Sequence, residues 1–208
     1  MKKPRGPNFA HERERYALGA RFVAGVDEVG RGPLAGPVGV AAVIFARDAK
    51  PLRGIDDSKK LDRERREALF PLILERALAV SVVFASAEEI DLYNIRGATL
   101  RAMARAVAGL SVRPCFALID GRDVPDSLVC PARAIVDGDA LSLSIAAASI
   151  VAKVTRDRLM ARLDAHYPDY GFSGHCGYGT PAHLKALSRL GPTPLHRKSF
   201  KSKALAGS

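Results

Sequence analysis

Five apolar runs, each of strand length, are threaded between segments of helical character, and this alternation limits the chain more than any other feature. The runs are "RFVAGVD" (21–27), "VGVAAVIFA" (38–46), "AVSVVFAS" (79–86), "CFALIDG" (115–121) and "ARAIVDGD" (132–139). All are rich in Val, Ile or Ala and bounded by Gly, Asp or Pro, which is the pattern of strands. A glycine-rich turn joins the first two and predicts an antiparallel pair. The order strand, strand, helix, strand, helix, strand, strand, helix predicts an α/β fold with helices packed on a mixed sheet.

The helical segments carry their own punctuation. "DDSKKLDRERREALFPLILERAL" opens on Asp/Ser cap candidates and continues in good helix formers, with Pro71 placed to kink or split it. Leu100, Met103, Ala104 and Val107 recur at i, i+3, i+4 and i+7, which predicts an amphipathic helix over 97–109 ending near Gly109. "ALSLSIAAASIVAKVTRDRLMARLDAHYP" reads as one long helix closed by Pro168, with an Ala/Ser-rich middle suited to close packing on a sheet. With a change of texture near 166, the expected organisation is a polar, loosely ordered extension (1–20), an α/β domain (21–165) and a basic helical extension (166–208).

The 208 residues are enough to bury a core, and the formal net charge of +10 favours a polyanionic partner. After Asp169 there is no acid, while Lys185, Arg189, Arg197, Lys198, Lys201 and Lys203 follow. Cys115, Cys130 and Cys176 are odd in number and lack CxxC spacing, so neither a disulfide framework nor a zinc ribbon is expected. No apolar run reaches membrane-spanning length and no secretory signal opens the chain, so a cytoplasmic protein without membrane contact, and a monomer, is expected.

Asp27, Asp120 and either Asp137 or Asp139 close apolar strands, and strands sharing one sheet would bring these acids to one edge. Each alone could be an ordinary turn or cap residue. Burying several ionised carboxylates together is costly unless a cation joins them. Adjacent strand residues point to opposite faces, so Asp27 and Glu28 reach one ion only if the strand ends there, which Gly30 and Gly32 in "VGRG" would permit. Carboxylates without His or Cys select Mg²⁺ or Mn²⁺. Two such ions about 3.5–4 Å apart serve phosphodiester hydrolysis, so the acids predict a metal-dependent nuclease.

Around these acids lie candidates for holding a sugar-phosphate chain. The spacing of Gly30, Gly32 and Gly36 misses the dinucleotide fingerprint by one residue, and no GxxxxGK[ST] is present, which argues against a nucleotide-binding phosphotransferase. Backbone groups of "GRG" approaching the chain, with Arg31 on a phosphate, use the glycines better; a plain tight turn is the alternative. Lys59, in the first turn of a helix, pairs with the helix N-terminus as a second phosphate site, unless Asp56 and Asp57 simply offset it. His175, Cys176 and His183 lack a fourth zinc ligand. Tyr178, between two glycines, either stacks on a sugar or base or pins its loop to the core. A non-catalytic RNA-binding module using the basic tail is the remaining alternative.

The segments "VAGVDEVGRGPLAGPV", "DDSKKL", "IDLYNIRGAT", "ALIDG", "GDALSLSIAAASIVAKVTRDRLM", "YGF", "GYGTPAHL" and "HRKSF", over about residues 22–200, resemble ribonuclease HII, the bacterial type 2 ribonuclease H. The resemblance implies a ribonuclease H-like mixed sheet flanked by helices with a C-terminal helical extension. It implies hydrolysis of RNA paired to DNA, including cleavage 5′ of single ribonucleotides embedded in duplex DNA, with Mn²⁺ or Mg²⁺ as cofactor. Its four acids fall on Asp27, Glu28, Asp120 and Asp139, the last chosen over Asp137 by the "GD" before the serine-rich helix. It places Gly30, Arg31 and Gly32 on the ribose 2′-OH, Tyr178 on the deoxyribose beyond the junction, and Lys153 with Arg31 and Lys59 on the phosphates. Where this chain has Cys176, the family often shows lysine.

Overall fold

The computed structural model describes residues 6–55 and 61–200, so Lys59, Asp56 and Asp57 lie outside the described residues, as does the tail beyond 200. Five strands form one mixed sheet: β1 (Val23–Val29), β2 (Val38–Phe45), β3 (Ala77–Ala85), β4 (Phe116–Asp120) and β5 (Ala132–Ile135). The sheet order is β3-β2-β1-β4-β5. β1 pairs antiparallel with β2, and β2 with β3, whereas β4 lies parallel to both β1 and β5. The predicted antiparallel first pair and mixed sheet are both present.

The continuous apolar character of β2 follows from burial on both faces. Val38, Val40, Ala42 and Ile44 face one core with α3 (Ala87–Ala108), through Ala98, Ala102, Met103, Ala106 and Val107. Ala41, Val43 and Phe45 face the other, with α2 (Arg63–Arg76) and α5 (Leu143–Asp164), through Leu69, Ile73, Ala147, Ile150 and Val151. β1 alternates in the same way, so Ala24 and Val26 look toward α3 while Gly25 and Asp27 look toward α5.

Several sequence expectations are corrected. The N-terminal stretch is not loosely ordered throughout: α1 (Ala10–Ala17) buries Tyr16 and Glu12, and Glu12 accepts hydrogen bonds from Ser142 Oγ at 2.7 Å and Ser144 N at 2.9 Å. A buried carboxylate is thus held at the N-terminal end of α5, where orphan N–H groups and the helix dipole favour it. Pro71 does not split α2; it stands exposed inside a helix that runs on to Arg76, where water can serve the carbonyl left without a donor. The helix predicted over 97–109 is present as the second part of α3; an unpredicted first part opens at a capping box of Ser86 and Glu89, and the two meet at Asn94, whose φ of 55° is non-helical. The long helix after β5 is two: a short α4 (Gly138–Leu141) and α5, separated at Ser142, whose side chain caps α5.

The Ala/Ser-rich start of α5 approaches β1 as its composition predicts. A Cβ at Gly25 would lie 2.2 Å from the carbonyl carbon of Ser144 and 2.3 Å from the nitrogen of Ile145, both backbone atoms with no room to yield. Gly25→Ala should therefore force α5 off the sheet and cost about 1–3 kcal/mol or more, as overpacking does; urea unfolding of the variant against wild type measures this.

Candidate active site

The site lies at a step in the sheet. β1 and β4 pair from Val23 with Phe116 to Val26 with Ile119; Asp120 then ends β4, while β1 continues against β2 alone to Val29. Asp27 and Glu28 are consequently inside β1, paired with Ala41 and Val40. The expectation that the strand must end at these acids is overturned. With no β4 residue beside Glu28, its side chain can turn around the open edge although alternation aims it away from Asp27. One carboxylate oxygen from each of Asp27, Glu28 and Asp120 lies within 4.8 Å of the others.

The local bonds hold the acids rather than neutralise them. Asp27 is buried and accepts the Glu28 N–H at 2.7 Å and the hydroxyl of Ser149 on α5. Asp120 accepts the Gly138 N–H at 2.7 Å, which ties β4 to the start of α4. Arg31 approaches Glu28 at 3.3 Å. Burial pushes the Asp27 carboxyl well above the usual carboxylate range, and the charges of Glu28 and Asp120 push it further. Glu28 is raised by burial and by Asp120, with Arg31 partly offsetting. Three crowded carboxylates with only oxygen donors fit a hard divalent cation, whose charge would remove the cost.

Asp139 does not stand at a strand end as expected. β5 stops at Ile135, Asp137 occupies an exposed left-handed turn, and Asp139 is buried in α4 immediately after Gly138. Burial thus separates Asp139 from Asp137, and Asp139 lies outside the cluster of three mutually close acids. Lys153 is one turn along α5 from Ser149, and both line the cavity with Asp27, Glu28, Asp120, Gly30, Arg31, Gly32 and Tyr178. Lys153 is also paired with Asp157 at 2.8 Å.

Tyr178 is 44% exposed, and its ring faces Gly32. The loop bearing it is zipped to the 30–36 loop: Leu34 N–H donates to Gly177 O at 2.8 Å, and Arg197 N–H donates to Leu34 O at 2.9 Å. Behind it His183 Nδ1 meets Tyr178 O at 2.9 Å, His183 Nε2 meets His196 Nε2 at 3.1 Å, and His196 Nδ1 meets Thr193 N at 2.9 Å. The ends fix the tautomers, since a carbonyl only accepts and an amide N–H only donates. His183 carries its proton on Nδ1 and His196 on Nε2, so both rings are neutral. Burial lowers the His183 pKa, and burial together with His183 lowers that of His196 to about 4. His175 stacks on His183 at 4.4 Å.

Sequence reasoning missed Ser149, Arg156, Arg197 and the histidine pair. Ser149 had a signal in its four-residue spacing from Lys153. Arg197 was counted only among the basic charges of the C-terminal extension, and the structure buries it.

A family model described as ribonuclease HII matches residues 24–203. Chains named ribonuclease HII from Brucella ovis and Brucella anthropi are each 54% identical over 198 residues, covering 95% of this chain and 90% of theirs. The ribonuclease H2 of Pyrococcus horikoshii superposes with a TM-score of 0.71 at 27% identity, over 89% of this chain and 95% of that one. The RNase HII of Archaeoglobus fulgidus, solved in complex with PCNA, gives 0.73 at 28% identity, over 88% and 96%. Bst-RNase HIII, solved with Mn²⁺, shares the fold at 22% identity and a TM-score of 0.67, over 92% and 71%.

The raised Asp27 pKa has a consequence for stability. A carboxylate whose folded pKa lies above its unfolded value destabilises the fold when ionised; the cost is absent below about pH 4 and grows as pH rises toward the folded pKa. Asp27→Asn should melt above wild type in EDTA at neutral pH, with the gap closing toward pH 4, as thermal melts across pH would record.

Proposed function

The chain belongs to the ribonuclease HII family, and on that premise we propose that Asp27, Glu28, Asp120 and Asp139 hold two divalent ions, Mg²⁺ or Mn²⁺, and cut 5′ of single ribonucleotides in duplex DNA as well as within hybrids. As a family member it is a metal-dependent ribonuclease H that hydrolyses the RNA strand of RNA–DNA hybrids. The observation carrying the finer reading is the convergence of three acidic oxygens within 4.8 Å beside an exposed glycine-flanked arginine and a half-exposed tyrosine.

Ions bound there would activate water and stabilise the leaving oxygen. Asp27, fixed by the Glu28 N–H and Ser149, and Asp120, fixed by Gly138, need no rearrangement to serve as ligands. Water adds to phosphorus in line as the bond to the 3′-oxygen breaks, leaving a 3′-hydroxyl and a 5′-phosphate. Gly30, Arg31 and Gly32 contact the ribose 2′-OH, the group that separates RNA from DNA. Tyr178 stacks on the next sugar, and the extension after Pro168 brings it there. Lys153 and Lys59 hold phosphates.

A labelled duplex with one ribonucleotide, an all-DNA duplex and a long hybrid, each with Mg²⁺, Mn²⁺ or EDTA, test this reading. The expected result is cutting 5′ of the lone ribonucleotide, abolished by EDTA, with the all-DNA duplex intact. Asp27→Asn and Asp120→Asn should each lose roughly 10²-fold or more in kcat, the scale of one electrostatic group in a preorganised site. Tyr178→Ala should leave the long hybrid within a few-fold of wild type and lose roughly tenfold on the lone ribonucleotide, the scale of one stacking contact. Full activity in both Asn variants would refute the acid assignment.

A further inference from the structure

Two of the largest fully buried side chains are arginines, Arg156 and Arg197, and both lie beneath the 30–36 loop. Arg197 donates through Nε and Nη2 to Gly36 O at 3.0 and 2.8 Å, through Nη1 to Arg31 O at 2.8 Å, and through Nη2 to Gly30 O at 2.5 Å. Arg156 donates to Pro37 O at 2.8 Å, Cys176 O at 3.0 Å and Ala35 O at 3.4 Å. Gly30 has room for this arrangement because it lacks a side chain: a Cβ there would meet Arg156 Nε at 2.1 Å.

Among the described residues neither guanidinium forms an ion pair. The acids whose charge they feel are engaged elsewhere. Asp91 accepts the N–H groups of Lys198 and Ser199 and the Ser199 hydroxyl, and Asp157 is paired with Lys153. Two like charges buried side by side without a carboxylate are costly, so the fold keeps them against a penalty.

What they accomplish is visible in the loop. The carbonyls of residues 30, 31, 35, 36 and 37 are drawn inward. The N–H groups of Leu34, Ala35 and Gly36 are taken by Gly177 O and Leu195 O, and Pro33 has none. Of the loop's exposed N–H groups, those of Arg31 and Gly32 are left without a backbone carbonyl among the described residues. The loop is therefore polarised, carbonyls down and two amides out.

We infer that Arg197 and Arg156 are positioning residues for substrate reading, which turn the Arg31 and Gly32 amides toward the bound strand and take its phosphate backbone as the counter-charge of their buried guanidiniums. This rests on the assignment of the 30–32 segment to the ribose. The forked geometry matters because five donors in a plane satisfy several carbonyls at once, which an ammonium cannot.

Arg197→Lys and Arg156→Lys keep the charge and lose the fork, and thermal melts with kinetics on the long hybrid and the lone-ribonucleotide duplex read the result. The expected outcome is cooperative melting, kcat on the long hybrid within a few-fold of wild type, and a raised KM. The ratio of lone-ribonucleotide to long-hybrid kcat/KM should fall roughly tenfold, as for one lost charge-assisted contact. Folded variants with wild-type KM and wild-type ratio would overturn the inference. Should the variants not melt cooperatively, amide exchange of the wild-type chain with a long hybrid in EDTA at low salt decides: slowed exchange at Arg31 and Gly32 supports it, and unchanged exchange at both overturns it. A wild type that cuts the long hybrid but never the lone ribonucleotide sinks the ribose assignment instead, and the KM and exchange readouts still judge the positioning role.

Discussion

Mutual repulsion among Asp27, Glu28 and Asp120 is the constraint around which the structure is arranged. One oxygen from each lies within 4.8 Å of the others, and burial removes the water that would screen them. The sheet makes this tolerable by rigidity: Asp27 and Glu28 belong to a central strand flanked by β2 and, up to Val26, by β4, and Asp120 ends the neighbouring one. The backbone positions of the acids cannot move apart without unpairing strands. A high local field is therefore built into the backbone rather than into mobile loops, which suits a site whose work is electrostatic.

The second half of the site is a sandwich of three segments from distant parts of the chain. The 30–36 loop is gripped on one side by Gly177 and on the other by Leu195, His196 and Arg197. Each grip is a backbone bond or a buried side chain, so the loop's shape is dictated by residues about 140 to 167 positions away. This explains how a glycine-rich segment, conformationally permissive by itself, presents one defined edge.

Much of this was legible in the sequence. The five apolar runs became the five strands, because β-branched runs bounded by turn residues have few other ways to be buried. Asp27 and Asp120 converged because β1 and β4 run parallel and each acid follows the last paired residues, Val26 and Ile119. What misled was a local rule applied without its surroundings: alternation says Asp27 and Glu28 diverge, but alternation does not know that β4 stops at Asp120 and leaves an open edge. Ser142 broke a helix that periodicity ran together, since one extended residue does not disturb a 3.6-residue pattern. Arg197 was illegible because its meaning comes from carbonyls far back in the chain.

The histidine pair behind Tyr178 has a further meaning. Its two ends, the Thr193 N–H and the Tyr178 carbonyl, have fixed polarity, so the proton positions in between form a one-way sequence with a single solution. Adding a proton at either ring would set two N–H groups head to head. Because burial lowers the pKa of both rings, that of His196 to about 4, residues usually regarded as acid sensors behave here as uncharged joinery. The Tyr178 carbonyl is thereby anchored through two neutral rings, which add no positive charge to a wall already crowded with guanidinium.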